Sequence, residues 1–121
     1  MRNFKLSTME DRLAELIWEN EPLSTRALTE ICEETFNWKR TTTYTMLKRL
    51  IEKEVFENDN STVKSLISKS DFRAKQGQVF LDESYNGSLP QFLAAFTRRK
   101  KLSSGEIKEI EKLINDYKED L

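Results

Sequence analysis

Histidine is absent from this chain, cysteine occurs once, proline twice and glycine three times in 121 residues. Without histidine the commonest general base, the usual proton shuttle and the commonest metal ligand are all missing. Neither a Cys–His nucleophilic pair nor a tetrahedral Cys/His zinc site can be built within one chain. The three glycines, Gly77, Gly87 and Gly105, form no phosphate-cradling loop. Carboxylate chemistry stays open in principle, but an enzyme is disfavoured, and no cofactor or metal is called for. The lone Cys32 excludes an internal disulfide and points to a reducing cytosol. No apolar run approaches the roughly 20 residues that span a bilayer. The opening Met1-Arg2-Asn3-Phe4-Lys5 lacks the apolar segment of a secretory signal. The expectation is a cytoplasmic protein with no direct membrane insertion.

What is present is charge. Charged residues make up 34% of the chain and apolar ones 37%, low for a self-sufficient monomer of this size, and the formal net charge is −1. The distribution matters more than the total. Between Lys39 and Lys53 stand five basic residues, Lys39, Arg40, Lys48, Arg49 and Lys53, against the single acid Glu52. The compensating acids, among them Glu10, Asp11, Glu15, Glu19 and Glu21, precede them. A basic element in an acidic body attracts phosphates at one place only.

Local signals divide the chain into short elements. Ser7-Thr8-Met9-Glu10 reads as a capping box, and Met9, Leu13, Leu16 and Ile17 follow as an apolar stripe. Asn20-Glu21-Pro22 ends that helix. Ser24 is the next N-cap, with Ala27, Leu28, Ile31 and Cys32 facing inward. After Phe36-Asn37-Trp38, a third helix runs from about Thr41 to Glu54, with Thr43, Met46, Leu47, Leu50 and Ile51 on its apolar side. Val55-Phe56-Glu57 and Thr62 to Ile67 then flank the polar Asn58-Asp59-Asn60-Ser61 as a hairpin. The fold class is mainly α with one small β-hairpin. It is a winged helix-turn-helix over residues 1–69, followed by a C-terminal helical region over 70–121.

In that second region Ser70-Asp71 caps a helix from about Phe72 to Tyr85, closed by Asn86-Gly87. Ser88 starts another, with Leu89, Phe92, Leu93 and Phe96 on one face. Ser103 to Glu106 repeats the capping box, and Ile107, Ile110, Ile114, Tyr117 and Leu121 recur at steps of three and four. So short a tail cannot hide these stripes by itself. A second copy is the expected partner, in a homodimer joined through these residues; the alternative is that the helices fold back on their own winged domain.

On a wheel of about 100° per residue, Thr41, Thr45, Lys48 and Glu52 oppose the apolar side of the third helix, with Thr42, Tyr44 and Arg49 on its flanks. Threonine offers a hydroxyl to a base or phosphate and a methyl to thymine, while Lys48 and Arg49 reach the backbone or a guanine. The bland alternative is a capped, solvated helix face. Lys64 is the one residue of the hairpin that could meet a phosphate. Arg98-Arg99-Lys100-Lys101 reads as a solvated linker, or else as a non-specific DNA contact or exposed protease site.

The run Trp38-Lys39-Arg40-Thr41-Thr42-Thr43-Tyr44-Thr45-Met46-Leu47-Lys48-Arg49-Leu50 resembles the recognition helix of the penicillinase-repressor family, the β-lactamase and methicillin-resistance repressors with their copper-responsive relatives. Leu6 to Glu10 with Leu16-Ile17-Trp18 resembles the family's first helix, and Ala95-Phe96, Leu102-Ser103 and Glu106-Ile107 its dimerisation helices. The resemblance implies a homodimer on double-stranded palindromic operator DNA that represses transcription. It makes Lys39, Arg40, Thr41, Thr42, Tyr44, Thr45, Lys48, Arg49 and Lys64 the candidate DNA contacts. It also implies a membrane sensor protease pathway acting at an Asn-Phe pair; the corresponding Ala95-Phe96 is the candidate proteolytic inactivation site, although it lacks the asparagine and Phe96 reads first as core. The C-terminal cysteine cluster of copper-responsive relatives is missing. Glycine is common where Glu54 stands, so the turn after the third helix is expected to be made without that freedom at positive φ. The hairpin is also shorter than usual and poor in basic and aromatic residues. The competing reading is a winged-helix interaction module or adaptor that does not bind DNA.

Overall fold

A computed structural model describes residues 2–121 as six helices and a three-stranded sheet. The helices are α1 (Thr8–Asn20), α2 (Thr25–Phe36), α3 (Arg40–Glu52), α4 (Lys69–Ser84), α5 (Leu89–Arg99) and α6 (Ser104–Glu119). The strands are β1 (Leu23–Ser24), β2 (Phe56–Asp59) and β3 (Thr62–Ser65). This is a winged helix-turn-helix followed by helices. The chain forms two compact units, Met1–Val79 and Phe80–Leu121; the first takes in α4 as far as Val79.

The first unit has a closed core. Ser7 accepts from the Glu10 amide and Glu10 returns a bond from the Ser7 amide, so α1 begins at its capping box. Leu13, Ala14, Leu16 and Ile17 of α1 bury against Leu28 and Cys32 of α2, Met46, Leu47 and Leu50 of α3, and Val55, Phe56 and Val63 beside and within the sheet. One expectation fails here. Met9 is exposed, and its neighbour Glu10 is buried instead, because the Lys53 ammonium at the end of α3 reaches it at 2.7 Å. Phe72 of α4 is fully buried, its ring 5.2 Å from Phe4 and 5.5 Å from Trp18. Arg73 lies over the Trp18 ring and pairs with Asp11 at 2.7 Å and Glu15 at 2.6 Å, so α4 is tied to α1 by both packing and charge. Burial pushes the Cys32 thiol pKa up, against an opposite pull from the Thr43 hydroxyl, and the residue is an inert filler.

The sheet differs from expectation in two ways. The order is β1-β3-β2, all antiparallel, with Leu23 opposite Val63 and Phe56 opposite Ser65. The two-residue β1 was not foreseen, since its pairing partner lies 40 positions away by register. Asn58 and Asp59 belong to β2 and not to the loop, because Asn60 (φ 52°) and Ser61 (φ 68°) make the whole turn in the left-handed region. A tight turn of that kind matches strand twist and suits Asn at its first position. The helix after the wing is capped by Ser68, whose hydroxyl accepts from the Asp71 amide, and not by Ser70-Asp71.

In the second unit, Asn86 (φ 52°) and Gly87 (φ 78°) close α4 with the Gly87 amide on the Leu81 carbonyl. A Cβ at Gly87 would be strained by that φ and would sit 3.2 Å from the Asp82 carboxylate. Ser88 caps α5, and Ser103 with Glu106 forms the expected capping box of α6. Phe80, Tyr85, Phe92 and Phe96 make a chain of ring contacts with centroids 5.4 to 5.8 Å apart.

Candidate nucleic-acid interface

Helix α3 is presented by the turn that precedes it. Asn37 adopts φ 57° and ψ 35°, where asparagine is tolerated, and its amide and that of Trp38 bond the Glu33 and Cys32 carbonyls. Trp38 packs on Phe36 at 4.8 Å and fixes the exit of the turn. Lys39 then starts α3 without any side-chain cap, and the first turn carries no acid. Helices α1 and α6, by contrast, both place a glutamate at that point. The Thr42 amide bonds the Lys39 carbonyl at 3.0 Å, which leaves the Arg40 and Thr41 amides for an outside acceptor, with Lys39 and Arg40 beside them, a setting that favours an anion.

The buried side of α3 is Thr43, Met46, Leu47 and Leu50, with Ile51 half-buried. The opposite side is Lys39, Arg40, Thr41, Tyr44, Thr45, Lys48 and Arg49, all exposed, and Thr42 is half-buried between the two. Tyr44 is 44% exposed. Thr41, Thr42, Thr45 and Met46 line a shallow depression of about 210 Å³. The Thr45 hydroxyl donates to the Thr41 carbonyl at 2.9 Å, so toward a ligand it is an acceptor unless it rotates. Among the described residues Lys39, Arg40, Lys48 and Arg49 make no ion pair. Lys53 does: it donates to Glu10 and to the Lys5 carbonyl, both at 2.7 Å, and belongs to the interior of the domain. The outward charge of α3 is thus smaller than a count along the sequence suggests.

Two features after α3 were not legible. Glu54 occupies φ 62°, so the left-handed turn is made after all, by a residue that adopts it at a cost; this ends α3 at Glu52 and not at Glu54. Lys64 on β3 faces Glu57 at 3.4 Å and Asp59 at 3.5 Å. The hydrogen bond to Glu57, then the charges of Glu57 and Asp59, raise its pKa.

The tail candidates lie in the second unit. Leu89, Phe96, Ile107, Ile114 and Tyr117 are exposed, while Phe92, Leu93 and Ile110 are half-buried. Leu113, 71% exposed, was missed because it falls one position before Ile114 and outside the strict repeat. Ala95 and Phe96 sit inside α5, and Arg98 to Lys101 are exposed where α5 gives way to an extended linker.

A profile of the penicillinase repressor family matches residues 6–116. The chain is 26% identical to the penicillinase repressor of Bacillus licheniformis over 118 residues, covering 94% of this chain and 92% of that protein. It is 25% identical to the methicillin resistance regulatory protein MecI of Mammaliicoccus sciuri and to that of Staphylococcus aureus strain N315, covering 94% of this chain and 96% of each.

Proposed function

The chain belongs to the penicillinase repressor family, whose members are regulators and not enzymes, and on that premise we propose that it is a homodimeric repressor reading a palindromic operator through α3. The observation that carries this reading is the outward face of α3: hydroxyls and Tyr44 flanked by four unpaired cations above an uncapped helix start. Thr41, Thr42, Tyr44 and Thr45 are the base readers, and Lys39, Arg40, Lys48 and Arg49 hold phosphates on either side. The exposed apolar stripes of α5 and α6 join two copies, which places two α3 helices about one helical turn of DNA, or a multiple, apart. The repressor reading puts the protein in the cytoplasm; no helix among the described residues is long and apolar enough to cross a membrane.

Inactivation through a membrane sensor protease pathway is carried over from the family resemblance to Ala95-Phe96. That bond lies within a hydrogen-bonded helix, so cleavage there requires α5 to open first. The acidic hairpin favours a second reading, an interaction module that does not bind DNA. A fluorescence-anisotropy titration with mixed duplex at low and moderate salt separates them. Binding that weakens with salt, with a slope reduced by about 0.9 in Lys48→Ala, is expected. No binding at low salt would favour the interaction module.

A further inference from the structure

Resting on the DNA-binding reading, we propose that the wing is held in check: Glu57 and Asp59 occupy Lys64 and keep the hairpin from gripping the DNA backbone, so that discrimination is left to α3. The hairpin follows α3 directly, with the Val55 amide on the Leu50 carbonyl and the Leu66 amide on the Val55 carbonyl. Each strand is four residues, about 13 Å long. A major groove is about 12 Å wide, so an element beside a helix seated in it faces the flanking phosphates. The one cation there, Lys64, is bracketed by Glu57 across the strand pair and by Asp59 near the turn, 3.4 and 3.5 Å from its ammonium. Phe56–Ser65 holds two acids and one base, so the wing meets phosphate with net negative charge.

This arrangement contributes little to folding. All three side chains are between 40% and 68% exposed, and ion pairs so exposed stabilise weakly. Its effect falls on binding. Repulsion along the wing acts on any duplex, whereas base contacts from α3 act only on the right one. A wing of this kind lowers non-specific affinity and widens the ratio of specific to non-specific binding.

The test is a mutant cycle read by anisotropy on mixed-sequence duplex at several salt concentrations. Glu57→Gln with Asp59→Asn is expected to bind about three- to ten-fold more tightly at low salt and to steepen the salt slope by about 0.9, one added phosphate contact. Adding Lys64→Ala should remove the steeper slope and leave only the smaller gain from lost repulsion, while Lys64→Ala alone should weaken binding slightly, because both acids then stand uncompensated. An unchanged melting temperature confirms that each variant is folded. Binding that stays the same or weakens in the double variant overturns the proposal, as does a steeper salt slope that survives Lys64→Ala. If the wild type binds no duplex at low salt, the DNA-binding reading itself falls and this inference with it.

Discussion

The winged unit and the tail are built from similar fractions of apolar residues but use them in opposite ways. Among the described residues every buried side chain lies between Glu10 and Phe72, and α5 and α6 have none. The tail instead shows Leu89, Phe96, Ile107, Leu113, Ile114, Tyr117 and Leu121 to solvent. A helix is stabilised chiefly by what its apolar face packs against. The winged unit supplies that packing from its own sheet and helices. The tail has faces without a covering, and it is these that the proposed second copy would cover. One unit folds as a domain; the other leaves its apolar faces uncovered, as the proposed dimer requires.

The comparison can be broken first in the core. Phe72→Ala empties a fully buried site against Phe4 and Trp18 and is expected to remove about 3–5 kcal/mol, read by thermal unfolding of tryptophan fluorescence. A loss below about 1 kcal/mol would mean that the winged unit does not own its core.

Glu10→Gln comes next, at about 2–3 kcal/mol near neutral pH, since it strips a buried carboxylate from Lys53. Burial works to raise the Glu10 pKa, but the Lys53 hydrogen bond and charge and the Ser7 amide outweigh it and hold it below the ordinary range. A carboxyl lowered in the folded state stabilises above its unfolded pKa, about 4.3, and that contribution disappears as pH falls through the folded value. The gap between wild type and Glu10→Gln should therefore close in acid; a gap independent of pH would contradict the pairing.

Glu54→Gly is expected to stabilise, by about 0.5–1 kcal/mol, because relief of the left-handed strain exceeds the added freedom of the unfolded chain. Destabilisation would show that the Glu54 side chain matters more than its backbone. The smallest effect on the winged unit is expected from Ile114→Asp, within about 0.5 kcal/mol in its melting. The same change should reduce the mass in solution from dimer to monomer by sedimentation. A dimer that persists would place the interface elsewhere.

Local signals were legible where the physics is local. Ser7 with Glu10, Ser24, Ser88 and Ser103 with Glu106 each cap the helix expected of them, because a hydroxyl and an amide three residues on need no other part of the chain. The buried side of α3 followed from its period for the same reason. What escaped depends on distant partners. β1 exists only because Val63 and Thr62 lie beside it, and Met9 yields the inside to Glu10 only because Lys53 is there. Glu21 accepts from the Ser65 amide at 2.8 Å and hydroxyl at 2.7 Å, a tie across 44 positions that no pattern announces. At the candidate site, the exposure of Thr41, Tyr44, Thr45, Lys48 and Arg49 was readable, and the pairing of Lys64 was not, since it needed the register of the hairpin.

The most direct measurement is selection of binding sites from a randomised duplex pool by the wild type and by Thr42→Ala and Tyr44→Ala. Enrichment of two inverted half-sites at a fixed spacing, with base preference altered in at least one variant, is the predicted result. A pool that stays random, or one consensus shared unchanged by all three proteins, would contradict the assignment of α3 as the reading element.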